Sequence, residues 1–84
     1  MASVNTNEDV EKAAKKAVVA LYGTDIKDFK VRVVFPFPSE HKRDSWDVQV
    51  TFLSNGLQYT VDLMINEKNG QITNARLVDK MTPL

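Results

Sequence analysis

The stretch from Trp46 to Ile65 reads WDVQVTFLSNGLQYTVDLMI, and it decides the fold. Apolar residues occupy every second position on both sides of Ser54-Asn55-Gly56, which is the period of a half-buried β-strand. Asn and Gly tolerate the positive φ angles of a tight two-residue turn. The stretch therefore predicts a β-hairpin with one apolar face.

A strand is also predicted before this hairpin, where residues 29–37 alternate with the same period. One side of that strand carries Phe29, Val31, Val33, Phe35 and Phe37. Lys30, Arg32, Val34 and Pro36 point to the other side. Pro36 and Pro38 have no amide donor, so we expect this end of the strand to lie at a sheet edge or in a loop.

A last strand is predicted after the hairpin, from Ile72 to Val78, beyond a second turn at residues 67–70. Ile72 is out of phase with Ala75 and Leu77, which predicts a bulge near Thr73 or Asn74. Successive strands joined by short turns pair antiparallel, so residues 29–78 predict a meander of about four strands.

An amphipathic helix is predicted ahead of the strands. Thr6 or Asn7 begins it, because these side chains accept hydrogen bonds from first-turn amides, and Gly23 ends it. Its apolar positions repeat with helical spacing and form one stripe: Val10, Ala13, Ala14, Ala17, Val18 and Leu21. The stripe consists mostly of small residues, so the helix can lie close to a sheet.

These elements predict an α+β fold in which an N-terminal amphipathic helix packs on one face of a four-stranded antiparallel meander (α-β-β-β-β). We expect a single domain over residues 1–84, with a frayed leader at 1–6 and a tail at 80–84. The side chains expected to face the helix are Phe29, Val31, Val33, Phe35, Trp46, Val48, Val50, Phe52, Tyr59, Val61, Leu63, Ile65 and Leu77.

Composition narrows the classes of function. The chain has 84 residues, no cysteine, and a formal net charge of zero. Disulfides, thiol nucleophiles and Cys-based zinc sites are therefore excluded, and a reducing, cytoplasmic location is expected. We see neither a secretory signal nor an apolar run long enough for a membrane helix. The balanced charge makes nucleic acid an unlikely partner.

No motif predicts catalysis, a cofactor or a metal. His41 is the single histidine, and as a general base it would need Glu40 or Asp44 beside it; a solvated loop residue is the more common case. Asp47 and Asp62 are predicted to meet on the sheet face turned away from the helix, near Lys30, Arg32 or Arg76. A paired-carboxylate site is one interpretation, and cross-strand charge pairing is the favoured one.

The segment from Phe35 to Trp46 mixes aromatic, proline and basic residues. It could stack single-stranded nucleic acid or dock a protein, since proline stiffens a contact loop. In a third interpretation Phe35 and Trp46 are core residues and Phe37 covers the sheet end. Protein contact is favoured over nucleic acid, because Glu40 and Asp44 balance Lys42 and Arg43.

Apolar residues are also expected on the solvent face of the sheet, at Val34, Leu53 and Met64. If they cluster, they form a patch for self-association or for a partner. The candidate partner-binding residues are thus Phe37, His41, Lys42, Arg43, Val34 and Met64.

The pattern from Gly23 to Leu77 resembles the small α+β module of PepSY-type domains and of gas-vesicle protein O. The matching features are the helix end at Gly23, the two alternating strands, and a hairpin of the form hydrophobic–acidic–x–x–x–Gly–x–hydrophobic at residues 65–72. The polar connection at 38–45 departs from that pattern, as does the missing secretion signal. The resemblance implies a non-catalytic binding or regulatory module and supplies no catalytic residues.

The predicted arrangement, a helix cradled by a curved antiparallel sheet, is also similar to that of cystatins, but their Gln-x-Val-x-Gly inhibitory loop is missing. The sequence therefore predicts a small, cytoplasmic, non-enzymatic protein-interaction or regulatory module, with self-association as a homodimer among the expected forms of interaction. The alternative is a domain that binds a small ligand or single-stranded nucleic acid through residues 35–46.

Overall fold

The computed structural model describes residues 6–39 and 41–81. Helix α1 spans Asn7–Tyr22, and four strands follow: β1 (Lys27–Phe37), β2 (Ser45–Ser54), β3 (Leu57–Asn66) and β4 (Ile72–Met81). The strands pair antiparallel in the order β1-β2-β3-β4, and α1 packs against one face of the sheet. The predicted α+β architecture is confirmed. Of the expected leader at 1–6 and tail at 80–84, residues 1–5 and 82–84 lie outside the described residues, whereas Thr6 caps α1 and residues 80–81 belong to β4.

Helix α1 begins with a capping box at Thr6. The Asp9 amide donates to the Thr6 hydroxyl at 3.1 Å, and the Thr6 amide donates to the Asp9 carboxylate at 3.3 Å. These bonds satisfy amides that have no partner within the helix. Val10, Ala14, Ala17 and Val18 are buried against the sheet as the periodicity predicts, but Leu21, the last residue of the predicted stripe, is 57% exposed. The described residues contain no helix long and apolar enough to cross a membrane.

The hairpin of β2 and β3 forms the floor of the core. Asn55 and Gly56 turn the chain with φ of +54° and +78°, the positive values that this tight turn requires. The register pairs each inward-facing apolar residue of β2 with an apolar or aromatic residue of β3, as in Val48 with Leu63. The side chains buried on this face are Trp46, Val48, Val50, Phe52, Val61, Leu63 and Ile65. We call this helix-covered face the inner face and the opposite face the outer face.

Aromatic rings close one end of the core. Phe52 and Tyr59 stack with centroids 5.3 Å apart, and Tyr22 from the last turn of α1 lies 5.1 Å from Phe52 and 5.5 Å from Tyr59. The helix stripe is too small to fill this space, so the sheet and the helix end supply the large side chains. Such ring contacts add about 0.5–1.5 kcal/mol beyond the area they bury.

Strand β1 changes phase in its middle, which corrects the sequence prediction. Val31 pairs with Val50 but Val33 pairs with Gln49, so that Arg32 is an extra residue at a bulge. Beyond the bulge Val34 turns inward and packs against the core, whereas Val33 and Phe35 turn outward. The expected inner positions of Val33 and Phe35 and the expected outer position of Val34 are therefore wrong.

Strand β4 is longer and more exposed than predicted. The expected bulge is confirmed, since Ile65 pairs with Ile72 while Met64 pairs with Asn74, which leaves Thr73 extra. A second bulge lies at Val78, and the strand runs on to Met81. Leu77 was expected in the core but is 47% exposed, because α1 packs on β1, β2 and β3 and does not extend over the middle of β4.

The phase change in β1 predicts that truncation of Phe35 and truncation of Phe52 lower stability by different amounts. In the sequence both residues occupy apolar positions of an alternating strand. Phe52 is 1% exposed and Phe35 is 61% exposed. We expect Phe52→Ala to lower the free energy of unfolding by about 3–5 kcal/mol, because it leaves a cavity in the core. Phe35→Ala should cost about 1 kcal/mol or less, as expected for an exposed strand position. Urea unfolding of both variants measures the difference; equal costs would contradict the outward placement of Phe35.

Candidate functional site

The outer face of the sheet presents aromatic side chains beside the first edge strand. Phe35 and Phe37 are two residues apart on β1 and share this face, where they are 61% and 46% exposed. Val33 precedes them on the same face, and Met64 lies in the row of Phe35, since both pair with Asp47. We call Val33, Phe35, Phe37 and Met64 the outer patch. Its position is a direct consequence of the bulge at Arg32.

Two carboxyl groups lie beside this patch. Asp47 on β2 and Asp62 on β3 are diagonal neighbours, because Asp47 pairs with Met64 and Gln49 pairs with Asp62. Asp47 Oδ1 is buried and has no hydrogen-bond partner as long as the neighbouring Asp62 carboxyl is ionised. An unpartnered buried acceptor has lost its hydration without a compensating bond, which makes this the least satisfied polar atom of the described residues.

The Asp47 and Asp62 carboxyls perturb one another. Burial, followed by the hydrogen bond and charge repulsion from Asp47, raises the pKa of Asp62 to about 6. Arg76 on β4 opposes this shift, but its guanidinium is 3.7 Å from Asp62 Oδ2 and is itself 71% exposed. Asp47, Asp62 and Arg76 therefore meet on the outer face, as predicted. The favoured interpretation was pairing of exposed charges, but here burial contributes to the raised pKa of Asp62 and one Asp47 oxygen is buried.

Val33 and Phe35 of the outer patch share one shallow depression of about 220 Å³ with the two carboxyls, whereas Phe37 and Met64 do not line it. Val33, Phe35 and Val78 supply apolar side chains, and Asp47, Asp62, Gln49 and Arg76 supply polar groups. Such a site can bury an apolar side chain and accept hydrogen bonds from a donor group next to it. Among residues 6–39 and 41–81, no group of three or more His, Asp and Glu side chains is arranged to hold a metal ion.

Hydrogen bonds and an ion pair join the loop before β2 to the turn between β3 and β4. Arg43 donates to both carboxylate oxygens of Glu67, at 2.7 and 3.0 Å, and its guanidinium lies 4.4 Å from the Trp46 ring centroid. Glu67 holds the pKa of Arg43 above its ordinary value, and Arg43 holds that of Glu67 below. The Glu67 amide also donates to the Asp44 carbonyl at 3.0 Å. Arg43 is therefore engaged in holding the loop.

The other predicted partner-binding residues are dispersed. Phe37 and Met64 belong to the outer patch, whereas Val34 faces the core. His41 and Lys42 are exposed in the loop, where the Lys42 amide donates to the Ser39 hydroxyl at 3.2 Å. Phe35 also lies on the outer patch, although the alternation of β1 placed it among the residues that face the helix. The adjacent apolar residues Val33 and Val34 were the sequence signal of this phase change, because either of them can occupy the next inward-facing position of β1.

Comparisons with family models, with curated proteins and with solved structures found no significant match to this chain. The resemblance to PepSY-type domains and gas-vesicle protein O therefore stays a prediction.

The raised pKa of Asp62 predicts a pH-dependent stability. The folded chain keeps a proton on Asp62 to a higher pH than the unfolded chain does, so this group stabilises the fold at low pH. That contribution is fully present below about pH 4 and is lost as the pH rises through about 6. We expect Asp62→Asn to remove this loss and to raise the melting temperature at neutral pH relative to wild type.

Thermal unfolding from about pH 4 to neutral pH, through the pKa of about 6, tests this expectation. Glu67 contributes the opposite slope, because its lowered pKa gives stability that is lost on acidification, so only the difference between wild type and variant isolates Asp62. Asp25→Asn, in the exposed turn after α1, is the matched control and should keep the wild-type profile. An Asp62→Asn profile parallel to that of wild type would contradict the carboxyl pairing.

Proposed function

We propose that this chain is a small, non-enzymatic protein-interaction or regulatory module that docks a partner on the outer patch. The supporting observation is the exposure of Phe35 and Phe37 side by side on a sheet whose inner face is already covered. Neighbouring exposed aromatic side chains are costly in water and are enriched where proteins bind one another. A cytoplasmic location is part of the proposal and rests on the absence of cysteine.

The apolar and acidic side chains that line the depression indicate which chemical groups a partner would need. An apolar side chain can cover Phe35 and Val33, and a basic group beside it can approach Asp47 and Asp62. Arg76 neutralises only one carboxylate, so a fully ionised pair retains one negative charge. We therefore expect a protein segment in which a lysine or an arginine lies next to apolar residues.

The resemblance to PepSY-type domains is in keeping with this proposal, because it implies a binding or regulatory module. The alternative, a nucleic-acid or small-ligand site at residues 35–46, has less support. Trp46 is buried on the inner face, and Arg43 is bound to Glu67, so neither is presented for stacking. Asp47 beside Phe35 also opposes a phosphate backbone.

Selection of binders from a random peptide display library tests the proposal. We expect the selected peptides to combine apolar residues with Lys or Arg, and to lose at least about tenfold in affinity for Phe35→Ser, the loss expected for a central aromatic contact. Leu21→Ser is the matched control, because Leu21 is similarly exposed but lies on α1. Peptides that bind Phe35→Ser as tightly as wild type, or a selection without binders, would overturn the proposal.

A titration with single-stranded oligonucleotide distinguishes protein docking on the outer patch from the nucleic-acid alternative. Salt-sensitive binding that depends on Lys42 and survives Phe35→Ser would favour the nucleic-acid interpretation over docking on the outer patch. The expected result is no binding at moderate salt.

A further inference from the structure

One proton can join the Asp47 and Asp62 carboxyls of the outer face. The two residues are diagonal neighbours on β2 and β3, and a protonated Asp62 donates a hydrogen bond to Asp47. Asp47 Oδ1 is buried, and no other group donates to it. The proton therefore satisfies an acceptor that the ionised pair leaves without a partner.

Within the depression, the only charged group facing this pair comes from β4. Strand β1 contributes the uncharged Val33 and Phe35. The Arg76 guanidinium lies 3.7 Å from Asp62 Oδ2. The ionised pair and Arg76 together keep one excess negative charge, whereas the protonated pair and Arg76 are neutral.

Other charged groups of this face lie farther along the sheet. Lys30 on β1 and Asp79 on β4 occupy the next row, which passes through Thr51 and Thr60. Arg32 lines a separate depression. Helix α1 packs on the opposite face and brings no charge to the pair. The compensation of the excess charge therefore depends on groups at the depression itself.

Docking on the outer patch changes the surroundings of the pair. A partner that covers Val33 and Phe35 also removes water from the carboxyls beside them. An uncompensated charge is costly once it is away from water. Either a proton on Asp62 or a cationic side chain of the partner can compensate it, and one excess charge requires only one of the two.

We propose that a proton and a cationic side chain of the partner compete for the Asp47–Asp62 pair. The outer patch then selects partners with Lys or Arg at neutral pH and partners without such a group on acidification. This inference rests on the docking proposed above, and it adds which kind of partner binds at which pH.

The direction of each effect follows from linkage between binding and protonation. A cationic partner favours the ionised pair, so its binding releases a proton and weakens as the pH falls. A neutral partner favours the protonated pair, so its binding takes up a proton and strengthens as the pH falls. The pKa of Asp62, raised to about 6, places both changes between neutral and mildly acidic pH.

Two matched peptides test the competition. The first is the tightest peptide with Lys or Arg from the display selection at neutral pH, prepared with blocked termini. It contains no His, Asp or Glu, so the peptide itself does not titrate between about pH 5 and about pH 7. The second is the same peptide with its cationic residue replaced by methionine, which has a similar length and no charge. Fluorescence anisotropy measures the affinity of each at both pH values.

The two peptides should respond to pH in opposite directions. The ionised fraction of a group with a pKa of about 6 falls roughly tenfold from about pH 7 to about pH 5. We therefore expect the cationic peptide to lose roughly tenfold in affinity over this range and the neutral peptide to gain roughly tenfold.

Asp62→Asn reproduces the protonated pair at every pH. Its side chain is uncharged, and its amide group can donate to Asp47 as the protonated carboxyl does. We expect this variant to bind both peptides at neutral pH as wild type binds them near pH 5 (about one unit below the pKa of Asp62), with no further pH dependence.

Two control variants separate the pair from other charges. Asp79→Asn removes one negative charge from the same face but outside the depression. His41→Gln removes the other side chain that can change charge in this pH range, which is exposed in the loop before β2. Both should keep the opposite pH responses of wild type.

The outcomes distinguish a failure of this inference from a failure of the docking. A selection without binders, or peptides that bind Phe35→Ser as well as wild type, would overturn both. If the peptides require Phe35 but show the same pH response with and without the cation, docking stands and the competition is overturned. A pH response that Asp62→Asn keeps or His41→Gln abolishes, or a selection at neutral pH that yields only peptides without Lys or Arg, would also overturn the competition.

Discussion

The packing of α1 on the inner faces of β2 and β3 is the contact on which the rest of the structure depends. Ala14 and Ala17 let the helix lie close to the sheet, and Val48, Val50 and Leu63 form the floor beneath it. One helix of 16 residues does not cover a sheet of four strands. Burial is therefore concentrated in the central strands, and the hydrophobic free energy of folding comes mainly from them. The edge strands are left to solvent or to partners.

The two edge strands, which α1 covers only in part, differ in which of their side chains face the core. Strand β1 bulges at Arg32, so Val34 replaces Val33 in the core while Phe35 and Phe37 move to the outer face. Strand β4 keeps Ile72 against the core and exposes the rest. At the Arg32 bulge of β1, a single extra residue reverses the face of every residue beyond it, because side chains alternate strictly along a strand. Most of β4 is exposed for a different reason, since α1 does not extend over the middle of that strand. The exposure of Phe35 and Phe37 on the outer face therefore follows from the bulge in β1.

Some charged groups form ion pairs that stabilise the fold, and others are only partly compensated. The bidentate pair of Arg43 and Glu67 fastens the loop before β2 to the next turn and shields Trp46. In contrast, Asp47 and Asp62 share a half-buried location in which Arg76 compensates only in part. Natural proteins usually satisfy buried polar groups, so an unsatisfied carboxyl beside exposed aromatics supports the proposal that a partner binds the outer face.

The sequence by itself determined the helix, its caps, the central hairpin and the order of the strands, since 3.6-residue and two-residue periods and the Asn-Gly turn are local signals. It also predicted the bulge at Thr73, where the phase slip is visible, and the approach of Asp47, Asp62 and Arg76. Only the tertiary structure decided which of Val33 and Val34 faces the core, because both are apolar and either phase continues the alternation. It also decided that Leu77 is exposed and that Arg43 binds Glu67. These outcomes depend on how far the helix reaches and on contacts between residues distant in the chain, which no local pattern encodes.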